Sequence, residues 1–151
     1  MKPKYLLYQL SFLLLLISIS GFAQDINVHK YIGKTRSDVI KNYGNPVHQD
    51  NSNPAMICMF YKRGNDNMIF VSDKDGIYQA EANISFDKET EARTALNILI
   101  SGSVTDGFKV DSVTISDFHL EKTGVKVGLQ LSENKLVNKF DIRVKANRTS
   151  N

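Results

Sequence analysis

One cysteine, Cys58, stands in 151 residues. No disulfide can therefore close within the chain, and stability has to come from an ordinary hydrophobic core. Cys58 lies in "AMICMFY", among large apolar side chains that oppose thiolate formation, so a buried and inert thiol is expected. Excess charge of one sign is scarce too. All 16 acidic residues and 17 of the 19 basic ones lie beyond residue 23, leaving that part near +1. A field of that size gives no reason to expect nucleic acid as a partner. Low-complexity segments and long linkers are also missing.

The motifs of chemistry are equally thin. There is no nucleophile-elbow serine, no phosphate loop and no dinucleotide fingerprint, so the expectation is a protein that is not an enzyme and has no cofactor. His29, His48 and His119 show no ligand spacing, and a zinc site needs three or four convergent ligands. "DKDG" tempts a calcium reading. With Gly76 at the sixth loop position, however, the first is Val71 and the twelfth is Ala82, where ligands are required. Asp-Gly in a hairpin turn explains the stretch.

What is present begins with a leader. Lys2 and Lys4 precede an apolar run from Leu10 to Ile19, and "SGFAQ" puts small residues before Gln24. Residues 1–23 read as a secretory signal peptide cut between Ala23 and Gln24, giving an exported protein, periplasmic or secreted. No cysteine sits at the cut, so membrane association is left open but a lipid anchor is not expected.

Beyond the leader, "YIGKTRSDVIKNYGNP" predicts a short helix with explicit ends. Thr35 is a good N-cap, Asp38 completes a capping box, Gly44 suits the C-terminal exit and Pro46 prevents continuation. Three strands follow: "AMICMFYK", apolar on both faces like a covered central strand, then "MIFVS", then "IYQAEANISF". In the last of these Tyr78, Ala80, Ala82, Ile84 and Phe86 are expected inward. A second helix has Asp87 as cap, Ala92, Ala95, Leu96 and Leu99 as its core stripe, and Gly102 as its end. Ile98 and Ile100 widen that stripe, as if the helix were covered on more than one side.

Three more strands complete the chain. In "VDSVTISDFHLEK" the inward residues read as Val113, Ile115, Phe118 and Leu120, with a bulge or bend at Ser116 and Asp117. "GVKVGLQLS" and the closing strand alternate cleanly, the latter with Phe140, Ile142, Val144 and Ala146 on one face. The fold class is therefore α+β, two short helices packed on antiparallel sheet. It reads either as a tandem α-β-β-β repeat, 24–86 and 87–151, within one compact domain, or as one helix-wrapped six-stranded sheet.

The residues Gly33, Thr35, Val39, Ile40, Gly44 and Pro46 resemble the motif of the small outer-membrane assembly lipoproteins of the SmpA/BamE type. The helix-then-sheet order, used twice, is similar to the beta-lactamase inhibitor protein fold. These resemblances imply a non-enzymatic periplasmic or secreted protein that binds other proteins. The motif covers about 15 residues, and the lipobox cysteine is missing, so the family's anchoring does not carry over.

One surface stands out for binding. Lys126, Gln130, Lys139, Arg143 and Lys145 fall on the outward positions of the last two strands and lean positive. A solvated face is the plain explanation, since outer strands carry lysine against aggregation. The functional one is docking of an acidic protein surface or anionic envelope lipid. The sequence thus predicts an exported protein-interaction module of the bacterial periplasm or cell envelope, with an unidentified envelope protein as partner. The alternative is a small-ligand or polyanion (lipid or glycan) binder using a sheet face.

Overall fold

In the computed structural model, which describes residues 26–150, Thr35 caps the first helix, α1 (Arg36–Tyr43). Its Oγ1 accepts the Asp38 N–H at 3.2 Å, and the Asp38 carboxylate accepts the Thr35 N–H at 2.9 Å. Gly44, at φ +79°, ends the helix and donates to Ile40 O at 2.8 Å. Eight residues are too few to hold a helix in water alone. Tyr61 supplies the missing anchor, its hydroxyl donating to Gly44 O at 3.0 Å, while Arg63 donates to Tyr43 O and lies 5.4 Å over the Tyr43 ring. Val39 and Tyr43 are the buried residues of this helix. The signal peptide expected at 1–23, with its cut at Ala23, lies outside the described residues.

The sheet that receives α1 is antiparallel and, among the described residues, eight-stranded. Its strands are β1 (His48–Asp50), β2 (Ile57–Arg63), β3 (Asp66–Asp73), β4 (Gly76–Phe86), β5 (Lys109–Thr114), β6 (Asp117–Lys122), β7 (Val125–Asn134) and β8 (Lys139–Arg148). They run in the order β1-β2-β3-β4-β8-β7-β6-β5, so residues before and after α2 (Glu89–Thr105) meet at the β4–β8 pair. The fold is α+β, with helices on an antiparallel sheet. Each part of the chain contributes a helix and four strands, where three were expected. One extra strand is the three-residue β1, recruited from an Asn-rich loop by pairing with Phe60. The other arises because "VDSVTISDFHLEK" makes a full hairpin at Ile115–Ser116, where the parity change had predicted only a bend.

Cross-strand register assembles the core as rows. Met59, Phe70, Ala80, Ala146, Val127, Leu120 and Val110 lie opposite one another from β2 to β5. Tyr61, Met68, Ala82, Val144, Leu129 and Phe118 form the next row. Because side chains alternate with period two, all of these share the helix-covered face. Two inward expectations fail. A register shift between Val71 and Ser72 makes β4 bulge, so that Ile77 is fully buried in place of Tyr78. Val113 and Ile115, at the tip of the β5–β6 hairpin, are 54% and 79% exposed.

The second helix also departs from its sequence signals. Ala92, Leu96 and Leu99 are buried as the stripe requires, but Ile98 is 68% exposed, so only one side is covered. Asp87 does not cap, and its carboxylate instead accepts from Lys139. The helix runs through Gly102 and closes at Gly107, φ +89°. There Phe108 N–H donates to Ser103 O and Gly107 N–H to Val104 O, the paired bonds of a Schellman exit. A 3₁₀ turn (Val28–Tyr31) packs beside it. Within that turn the buried His29 places Nε2 3.3 Å from Ser103 Oγ and meets Phe108 edge-on at 5.5 Å. Among the described residues, no helix is long and apolar enough to cross a membrane.

Several aspartates staple these parts. The Thr35 hydroxyl holds Asp38 below the usual carboxylate range, as do Arg148 for Asp73, Lys139 for Asp87 and Lys30 for Asp106. The Asp73–Arg148 pair ties the β3–β4 hairpin to the end of β8. A carboxyl depressed in the folded state contributes stability above its unfolded pKa and loses it as pH falls through the folded value. The share of stability that these aspartates supply should therefore be fully present above about pH 5 and be lost below about pH 4, near the ordinary aspartate value. Thermal melts at stepped pH test this. Asp73→Asn should remove part of the fall, and an unchanged profile in that variant would contradict the assignment.

Candidate functional surface

Among the described residues, the helices occupy one face of the sheet and leave the other open. On that open face the register sets His48, Phe60, Ile69, Glu81, Lys145, Gly128, His119 and Asp111 in one transverse row. Its neighbour runs Lys62, Asn67, Asn83, Arg143, Gln130 and Asp117. A third carries Asp50, Cys58, Val71, Gln79, Asn147, Lys126, Glu121 and Lys109.

The five residues singled out from the sequence all fall on open-face positions, but they are not equivalent. Gln130 and Arg143 are directly opposite, with Asn83 on the other flank of the arginine. Lys145 is held by Glu81 at 3.0 Å and Lys126 by Glu121 at 3.5 Å. Lys139 sits at the far end of β8, bound to Asp87 and only partly exposed. Arg143 is the exception: exposed, flanked by amides, and in no ion pair among the described residues. Three of the four cations are thus already neutralised in part, and exposed pairs of this kind contribute little to stability.

Sequence reasoning missed the other half of the face. "AMICMFY" is apolar on both sides, yet only Met59 and Tyr61 are buried in the core. Cys58, Phe60 and Ile69 are half-buried on the open face, and none of them packs against the core cluster. Beside them Val71 is 7% exposed, and the His48 ring lies 5.5 Å from Phe60. Among the described residues the strand is therefore covered on one side only, and Cys58 is half-buried where full burial was expected. Burial, assisted by the negative Asp50, still pushes its thiol pKa up, which keeps it protonated. The doubly apolar runs "AMICMFY" and "MIFVS" were the available signal for this patch.

Between the charged residues lies a shallow depression of about 400 Å³, floored by Gly128 and edged by His119, Glu121, Lys126, Lys145 and Asn147. A Cβ added at Gly128 would meet nothing within 4 Å. Packing therefore does not demand the glycine, although a strand interior disfavours it. Among the described residues, no group of three or more His, Cys, Asp or Glu is placed to hold a metal ion. His119 is exposed beside the depression and His29 is buried in the core.

No family model matches the chain, and no curated protein matches it. Among solved structures, a cysteine-rich secretory protein from Staphylococcus aureus is similar at a TM-score of 0.42 and 9% identity, over 76% of this chain and 44% of that one. The chain thus spans less than half the length of that protein.

Proposed function

We propose that this chain is an exported, non-enzymatic protein-interaction module of the bacterial periplasm or cell envelope, which docks a protein partner on the open face of its sheet. The observation that carries the reading is the apolar patch of Cys58, Phe60 and Ile69, uncovered among the described residues, with Arg143, in no ion pair among those residues, two strands away on the same face. An apolar centre with a polar, arginine-bearing margin is the anatomy of a protein interface. The leader and the SmpA/BamE-like stretch around Thr35 support the compartment and the class. In the test, immobilised full chain is exposed to bacterial envelope extract beside Phe60→Glu and Arg143→Glu variants. One protein should be retained by the native chain and lost, or held about tenfold more weakly, by both variants. Equal retention by all three would remove the open face from the proposal.

A second reading rests on the depression over Gly128. Lys126, Lys145 and His119 at its edge suit a small anionic or glycan ligand. Thermal-shift titration with polyphosphate, anionic lipid and oligosaccharide would then show stabilisation that Gly128→Val abolishes. A stabilisation that survives Gly128→Val would refute this version.

A further inference from the structure

The two edges of the sheet are built differently. β1 is three residues long and lies between Pro46 and Pro54, which is how natural sheets blunt an edge. β5 is twice as long, has no proline and is exposed throughout, and it is guarded only by its charged side chains and the irregularity between Ser112 and Thr114. Its charged side chains, Lys109 and Asp111, are on the open face, two residues apart, and enter no ion pair among the described residues.

We infer that β5 pairs antiparallel with β5 of a second copy of this chain, about a two-fold axis through Val110. The parity of strands leaves few alternatives. Residues opposite each other in an antiparallel pair must share a face, so the axis has to pass through a residue and not between two. An axis at Lys109 sets lysine against lysine, and one at Asp111 sets aspartate against aspartate. Like charges directly opposite are destabilising. An axis at Ser112 runs into the irregularity between Ser112 and Thr114. With the axis at Val110, Lys109 of each copy faces Asp111 of the other, twice, and Val110 faces itself.

This register also continues what each sheet already does. On the open face Lys126 is paired with Glu121, and Glu121 lies opposite Lys109. The second copy's Asp111 adds the next negative charge, so signs alternate through the joint. On the helix-covered side Val110, 36% exposed, prolongs the row from Met59 to Leu120 into the neighbouring sheet. The interface is isologous, as two-fold dimers require, and it joins residues 109–111 of the two copies, while residues 112–114 lie beyond the reach of the other copy's β5.

Sedimentation equilibrium of the full chain over a concentration series tests the inference. The native chain should dimerise, and more weakly as salt rises. Lys109→Glu alone and Asp111→Lys alone each set two like-charged pairs across the axis, and should raise the dimer dissociation constant by about tenfold or more. Mixing the two variants, or combining both changes in one chain, restores opposite charges and should restore association. Melting temperatures close to native keep misfolding apart from loss of pairing. A monomeric native chain at every concentration would overturn the inference. So would a dimer indifferent to both single variants, or single variants that weaken it without rescue on mixing.

Discussion

Phe70→Ala should remove about 3–5 kcal/mol of folding stability, the range for deleting a buried aromatic ring. Phe70 is fully buried in the middle of β3. Tyr31 and Tyr61 meet its ring edge-on at 5.6 and 5.8 Å, and Tyr43 meets it tilted at 5.4 Å. Each such pair adds about 0.5–1.5 kcal/mol beyond burial. Directly opposite on β4 stands Ala80, too small to fill the space left behind, so the site collapses poorly. The three tyrosines come from the 3₁₀ turn, α1 and β2. One substitution therefore loosens the contact that holds the short first helix on the sheet. A domain of this size has roughly 5–15 kcal/mol in all, so the variant should be close to half unfolded well below the native denaturant midpoint. Urea titration measures this. Phe60→Ala, a ring of the same size half-buried on the open face, should cost well under half as much. Equal costs would mean that the two faces of the sheet are not distinct in the way the burial indicates.

The same contrast between faces explains what could be read from the residues alone. β4, β7 and β8 carry polar side chains on one parity and apolar ones on the other, so a period of two states which face is covered. Thr35, Asp38 and Gly44 state the ends of α1 because capping is local. "AMICMFY" carries no such statement. A run apolar on both parities describes a strand covered twice, and equally a strand whose second face awaits a partner. Only the placement of the helices distinguishes them. Tyr78 departs from the alternation for a related reason: the bulge at Val71/Ser72 is a property of two strands together, and it shifts parity near the start of an otherwise clean alternation. That Arg143 enters no ion pair among the described residues needed register as well. Lys145 and Lys126 acquire partners from strands distant or adjacent in sequence, and nothing in "KFDIRVKANR" distinguishes the arginine from its lysines. Three-residue β1 gave no signal, since its pairing with β2 is what makes it a strand.

Gly76→Ala should cost about 3 kcal/mol or more, although the position reads as an ordinary glycine of an Asp-Gly hairpin turn. Two constraints meet there. The backbone sits at φ +109°, where an L side chain is strained by about 1–3 kcal/mol. A Cβ would also lie 2.7 Å from Lys34 O and 3.2 Å from Gly33 O. Both are backbone atoms, so no rotamer change can relieve the contact. Those same peptide groups bind β4 directly: Gly33 N–H donates to Ile77 O at 2.7 Å, and Ile77 N–H donates to Lys34 O at 2.8 Å. Pushing them apart to admit a methyl group weakens two hydrogen bonds, each worth roughly 1 kcal/mol. Gly64→Ala separates the terms, because Gly64 is also at positive φ, +60°, but has open space where its Cβ would go. That variant should lose only about 1–2 kcal/mol, from backbone strain alone. If the two variants melt at the same temperature, the approach of Gly33 and Lys34 to Gly76 is soft and has no energetic weight. If Gly76→Ala is much the worse, the glycine in "YIGKTRS" does more than open a helix: with Gly76 it forms the seam that fixes α1 to the first residues of the strand at the centre of the sheet.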